Sequence, residues 1–125
     1  MFTKKKRLIE EIVTKSNNLE AKLARDPSVG PLEMSHALGA REAYLSTYKF
    51  INETNPTSDE IALEDIDAFC WSQRKLASAI AYSTDLGVDF PYNKKLALGK
   101  ISAYNNIQSQ IDVLKSEMET DEETA

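Results

Sequence analysis

The stretch "DAFCWSQRKLASAIAY", residues 67–82, decides the fold. With Ile66 just before it, Phe69, Cys70, Ala77 and Ile80 recur at the spacing of one helical face. Thr84 extends that inward line. Trp71, the single tryptophan of the chain, falls on the opposite side, in line with Ser78 and Tyr82 and edged by Arg74 and Lys75. Nothing in the stretch alternates with the period of a strand. It reads as an amphipathic helix that carries a tryptophan on its back.

Outward from this helix, the chain divides by its stops. Upstream, "NETNPTS" (52–58) interrupts, and Thr57 with Glu60 has the spacing of a capping box. Asp59 and Glu60 then complement the positive end of the helix dipole. Downstream, the helix is expected to reach Asp85 and stop at Gly87. "DPSVGP" (26–31) closes a first helix over Lys4–Arg25, striped by Leu8, Ile9, Ile12, Val13, Leu19 and Leu23. Pro31 opens a second helix, since a first-turn proline loses no needed hydrogen bond. It runs to Glu53, with Met34, Ala37, Leu38, Tyr44, Leu45, Tyr48 and Ile51 as its apolar stripe. Pro91 opens a fourth, lined by Tyr92, Leu96, Ile107, Ile111, Leu114 and Met118, with Ala103 and Tyr104 at the edges, and fading near Glu119. No internal repeat stands out.

Four long helices with short connections predict an all-α antiparallel four-helix bundle, or a related helical array, running up-down-up-down. The 125 residues make one domain, 1–119, with an acidic tail, 120–125, expected to be disordered. A hydrophobic fraction of 42% against 28% charged residues is ordinary for a chain that builds its own core. The lone Cys70 can form neither an internal disulfide nor a cysteine-based zinc site, which fits a reducing compartment. No apolar run is long enough to span a bilayer. The basic start, "MFTKKKRLIEEIVTK", lacks the apolar segment of a secretory signal. A soluble, cytoplasmic protein is expected.

The net charge of −5 is uneven: Lys4, Lys5, Lys6 and Arg7 at the start, acids at the end. The bundle topology brings those cations to the same end as Asp59, Glu60, Glu64 and the acidic tail. They are therefore expected to be held within the molecule. The competing reading is a nucleic-acid arm formed by Lys4–Arg7 with Lys94, Lys95 and Lys100. A uniformly basic face is absent.

Chemistry-bearing residues are few. "EMSH", Glu33–His36, has the E-x-x-H spacing of carboxylate-bridged metal bundles, but one histidine completes such a site only in a dimer. Glu33 equally suits the first turn of its helix, and His36 lies off the apolar stripe. Neither a metal nor any other cofactor is expected. Cys70 beside Phe69 reads as a small core hydrophobe rather than a nucleophile paired with His36. Arg41 sits in the apolar stripe of the second helix, where either its stem covers the core edge while its head stays wet, or it forms a structural ion pair with Glu64, Asp65 or Asp67 or contacts a partner. Gly39, within "SHALGA", costs about 1 kcal/mol in a helix and so marks a close packing contact.

Trp71, Arg74, Lys75, Ser78 and Tyr82 form the best candidate contact strip, because tryptophan, tyrosine and arginine dominate interface energetics. Leu98, Val113, Ala40, Ala43 and Phe50 fall outside the main stripes, an apolar surplus that a homo-oligomer or a protein partner would cover. The expected function is non-catalytic protein–protein interaction, as a regulator, adaptor or assembly subunit. A small acidic protein of this kind would also suit a phage or mobile element that binds a host factor. The alternatives are the nucleic-acid binder and the dimeric metal-binding bundle.

Overall fold

The computed structural model describes residues 3–25, 30–83 and 90–124, which form four helices: α1 (Thr3–Arg25), α2 (Pro31–Glu53), α3 (Asp59–Ala81) and α4 (Phe90–Thr124). All four pack together, and no strand occurs among the described residues. The fold is an all-α helical bundle.

The stops work largely as their chemistry dictates. Pro31 occupies the first turn of α2 behind an extended Gly30. The start of α3 lies one residue later than the Thr57 capping box requires. Ser58 is the cap, its hydroxyl accepting the Ile61 amide at 3.2 Å. Three positions beyond Ser58 stands Ile61 rather than Glu60, so the reciprocal carboxylate bond of a capping box has no donor–acceptor pair. The α3 helix ends at Ala81. Thr84, Asp85 and Gly87 lie outside the described residues. The α4 backbone runs through 120–124. No glycine or proline interrupts it after Gly99, and its last turns are rich in strong helix formers.

Directions follow the up-down-up-down order, but the neighbours differ from those of a simple antiparallel ring. The pairs α1/α2 and α3/α4 are antiparallel: Glu20 meets Arg41, and Asp67 meets Gln108 while Arg74 meets Asn105. The most extensive contact is between α2 and α4, which run parallel. Gly39 lies against Leu96, and further along both helices Tyr44 reaches Asn106. By contrast, α2 and α3 touch little.

Glycine makes the central contact possible. A Cβ on Gly39 would overlap the carbonyl oxygen of Leu96, and a Cβ on Gly99 would overlap that of His36. The backbones meet directly there, with Ala37, Ala40, Ala43, Ala97 and Ala103 buried around them. This overturns part of the expected stripe of α2, of which Ala37, Tyr44 and Ile51 are buried as expected. Met34, Leu38, Leu45 and Tyr48 are exposed, while the small face of Gly39, Ala40 and Ala43 is buried. Close approach favours the face with the least bulk, whatever its hydropathy. Ala40, Ala43 and Phe50 are core residues here, not surplus.

The contacts are also reciprocal. Pro31, Ala37, Leu38, Gly39, Ala43, Tyr44 and Ile51 each recur sixty positions later, as Pro91, Ala97, Leu98, Gly99, Ala103, Tyr104 and Ile111. Tyr44 donates to Asn106 at 3.1 Å, and Tyr104 has Ser46 as its hydrogen-bond partner, again sixty positions apart. An internal repeat is therefore present in α2 and α4, and the two helices face each other through matching residues.

At the opposite end, bulk replaces smallness. Leu8 and Ile12 of α1, Ile51 of α2, Leu63, Ile66 and Cys70 of α3, and Ile107, Ile111 and Leu114 of α4 fill one core. Phe50 stacks on Phe69 with centroids 4.4 Å apart, and Phe69 meets Tyr104 edge-on. This end is closed by all four helices. At the glycine end, the α2/α4 contact leaves α1 on one side and α3 on the other.

Gly39→Ala and Gly99→Ala test the close approach. On a free helix each would stabilise by about 1 kcal/mol. Here the added methyl meets backbone, and a loss of about 1–3 kcal/mol is expected from overpacking. Urea denaturation decides the sign, and stabilisation by either change would refute the backbone contact.

Candidate functional site

The basic start is held inside the molecule. Lys4 Nζ pairs with Glu117 at 3.0 Å, and Arg7 reaches both oxygens of the same carboxylate, the longer contact at 3.2 Å. The carboxylate of Asp59 accepts the backbone amides of Lys4 and Lys5 at 2.8 and 3.2 Å. An acid at the start of α3 thus caps the start of α1. This satisfies two of its free amides and offsets the dipole that the lysines oppose. The partners are Asp59 and Glu117. Glu60 and Glu64 instead lie near Lys115 and Glu119 around a separate small cleft. Lys6 is exposed, Lys95 is exposed, and Lys100 pairs with Glu42 at 3.4 Å.

Arg41 does form an ion pair, but not with α3. Its guanidinium reaches Glu20 of α1 at 2.8 Å and stays about one-third exposed. Arg41 faces α1 because α2 packs between α1 and α4, which puts Glu64, Asp65 and Asp67 on the far side of the bundle.

Glu33 is exposed in the first turn of α2, and His36 is half-buried. No cluster of three or more metal-ligating side chains occurs among the described residues. Cys70 is fully buried against the Thr47 hydroxyl, and burial pushes its thiol up to about 12. A thiol so placed stays protonated at neutral pH and is a poor nucleophile.

The tryptophan strip is divided by the structure. Trp71 is 48% exposed, with the Lys75 ammonium 4.2 Å from its ring centroid in a cation–π contact. Tyr82 is 72% exposed at the end of α3. Ser78 is half-buried. Arg74 points elsewhere: it donates to Asn105 at 2.7 Å and Gln108 at 2.9 Å, while Gln108 donates to Asp67. This network ties α3 to α4, so Arg74 is a packing residue. Ile80, expected in the core, is 51% exposed on the other flank of α3 beside Leu76, which is 62% exposed. Ala81 takes the inward position instead, against Ala97 and Ala77.

Two grooves flank the α2/α4 contact. The α2–α3 groove, about 730 Å³, has Leu45 on one wall, Leu76 and Ile80 on the other, and Leu96, Ala97 and Tyr104 of α4 as its floor. The α1–α4 groove, about 770 Å³, has Ala37, Ala40 and Tyr44 of α2 as its floor. The two grooves use the same positions of the repeat: His36, Ala37, Ala40 and Tyr44 in one, Leu96, Ala97, Lys100 and Tyr104 in the other. The grooves escaped sequence reasoning because the repeat did. The visible signal was the recurrence of "ALG" followed by "AY" at 37–44 and 97–104. No described helix is long and apolar enough to cross a membrane.

Glu117 provides a pH test of the closed end. The hydrogen bond from Arg7, and then that from Lys4, lower its carboxyl from 4.5 to about 2. Its folded value lies below its unfolded one. The stabilisation is therefore complete above about pH 4.5 and is lost as pH falls through about 2. A carboxyl titration by NMR should place Glu117 near 2, and Arg7→Ala should move it towards the ordinary range. Asp59→Ala removes a cap and should cost about 1 kcal/mol, with faster hydrogen exchange at Lys4 and Lys5. Unchanged exchange there would remove Asp59 as the cap.

The chain matches no known family model, no curated protein and no solved structure.

Proposed function

We propose that this protein is a non-catalytic protein–protein interaction module, a cytoplasmic regulator, adaptor or assembly subunit, and that it binds through the α2–α3 groove. One observation carries the reading: Leu45, Leu76 and Ile80 stand exposed around an open groove whose floor is apolar. Exposed apolar side chains scattered singly need no explanation, whereas several around one concave surface mark a binding site. Covering a leucine or isoleucine fully is worth about 1.5–3 kcal/mol. Trp71, Lys75 and Tyr82 lie on the other flank of α3 and extend the contact area around that helix. A helix laid in the groove is the recognition mode that this shape suits, whether it comes from a second copy or from another protein.

Sedimentation velocity at two concentrations, with Leu76→Glu, Ile80→Glu and Trp71→Ala beside the parent protein, tests the proposal. Either of two results supports it: self-association that the glutamate variants abolish, or an identified host protein, captured by affinity, that they no longer bind. A monomer at all concentrations, with no partner sensitive to these residues, defeats it.

A further inference from the structure

The α1–α4 groove occupies in the first half of the repeat the place that the α2–α3 groove occupies in the second, yet its chemistry is different. Lys15 and Lys22 stand on its α1 wall and Lys95 on its α4 wall. The α3 wall of the other groove has Gln73, Leu76, Ala77 and Ile80 instead. Five other basic side chains pair with carboxylates: Lys4 and Arg7 with Glu117, Arg41 with Glu20, Lys49 with Glu53, and Lys100 with Glu42. Lys15, Lys22 and Lys95 have no carboxylate within ion-pair distance among the described residues. The groove has one acid of its own, Glu33. Three lysines against one acid give this groove a positive lining in a chain with 20 acids and 15 lysines and arginines.

We propose that the α1–α4 groove seats an acidic amphipathic helix of a protein partner. The floor, Ala37, Ala40 and Tyr44 with Ala103 beside it, is apolar, and Leu19 provides an apolar wall. Lys15 and Lys22 are seven residues apart on one helix, about 10 Å along its axis. Lys95 faces them from another element. The three cations therefore stand on two walls of the groove. They match a row of carboxylates flanking an apolar stripe, as charged positions flank the seam of a coiled coil. The floor from Leu32 to Tyr44 is about 18 Å long, room for roughly three turns of guest helix. The site is independent of the α2–α3 face and stands if that face proves to bind nothing.

A fluorescein-labelled synthetic peptide of about 14 residues, with leucines at i, i+3, i+4 and i+7 flanked by glutamates, serves as the probe in an anisotropy titration. Binding is expected at low salt. The triple change Lys15→Glu, Lys22→Glu, Lys95→Glu should weaken it by at least about tenfold, and raised salt should weaken it likewise. A peptide with lysines for glutamates should bind the triple variant better than the parent. Leu76→Glu should leave the affinity unchanged. No binding at about 1 mM peptide overturns the proposal, as does equal affinity for the triple variant or for a peptide with scrambled leucines. Laurate binding with the same lysine dependence in place of the peptide would reassign the groove to a small anionic amphiphile. Self-association abolished by the triple change would reassign it to a second copy.

Discussion

The bundle is organised around a contact in which side chains take no part. Gly39 and Gly99 let the backbones of α2 and α4 touch, each glycine making room for a carbonyl of the other helix. Parallel helices at such distance gain dispersion and weak Cα–H···O contacts, small individually but repeated along the crossing. Everything at that end follows from it. Two helices in contact across a bundle's diagonal exclude the other pair from the centre. So α1 and α3 lie on opposite flanks, and each flank is left with a groove.

The closed end has the complementary arrangement. There the bulky residues of all four helices meet, and polar groups close the end from outside. Asp59 is the economical element: a residue in the first turn of one helix that completes the first turn of another. Glu117 adds a shared acid for Lys4 and Arg7. The cluster explains why cations are tolerated where the α1 dipole disfavours them. The two ends therefore differ, with bulky burial and the shared acid Glu117 at one and open apolar and basic grooves at the other.

Helix existence was legible because breakers and caps act locally. Pro31, Pro91 and the 26–31 run place the elements, and α2 has the bounds that its flanks imply. Ile66 and Cys70 are buried as their spacing requires. Faces were legible only where bulk and burial agree. In α2 they disagree: hydropathy points to Leu38 and Leu45, while close packing selects Gly39 and Ala43. The partner of Arg41 was misread for a related reason, since pairing depends on which helices are neighbours. That order is set by the α2/α4 crossing, a long-range property. Trp71 was read correctly as lying outside the core, and Ile80 incorrectly as lying inside it. A helix flanked by a groove has two half-exposed edges, and periodicity alone distinguishes neither from the core.

The cap on α1 has a consequence for how the chain assembles. Asp59 and Lys4 are 55 residues apart in sequence, and Glu117 and Lys4 are 113 apart. During synthesis the chain emerges from its N-terminus. The amides at the start of α1 stay without this cap until α3 begins, and Lys4 and Arg7 stay without their acid until most of α4 exists. The parallel α2/α4 contact likewise awaits the second half of the repeat. Helical folds usually fold quickly because their contacts are local. Here the contacts that fix the architecture are among the most distant in the chain, so the first hairpin reaches its final form only when the second arrives.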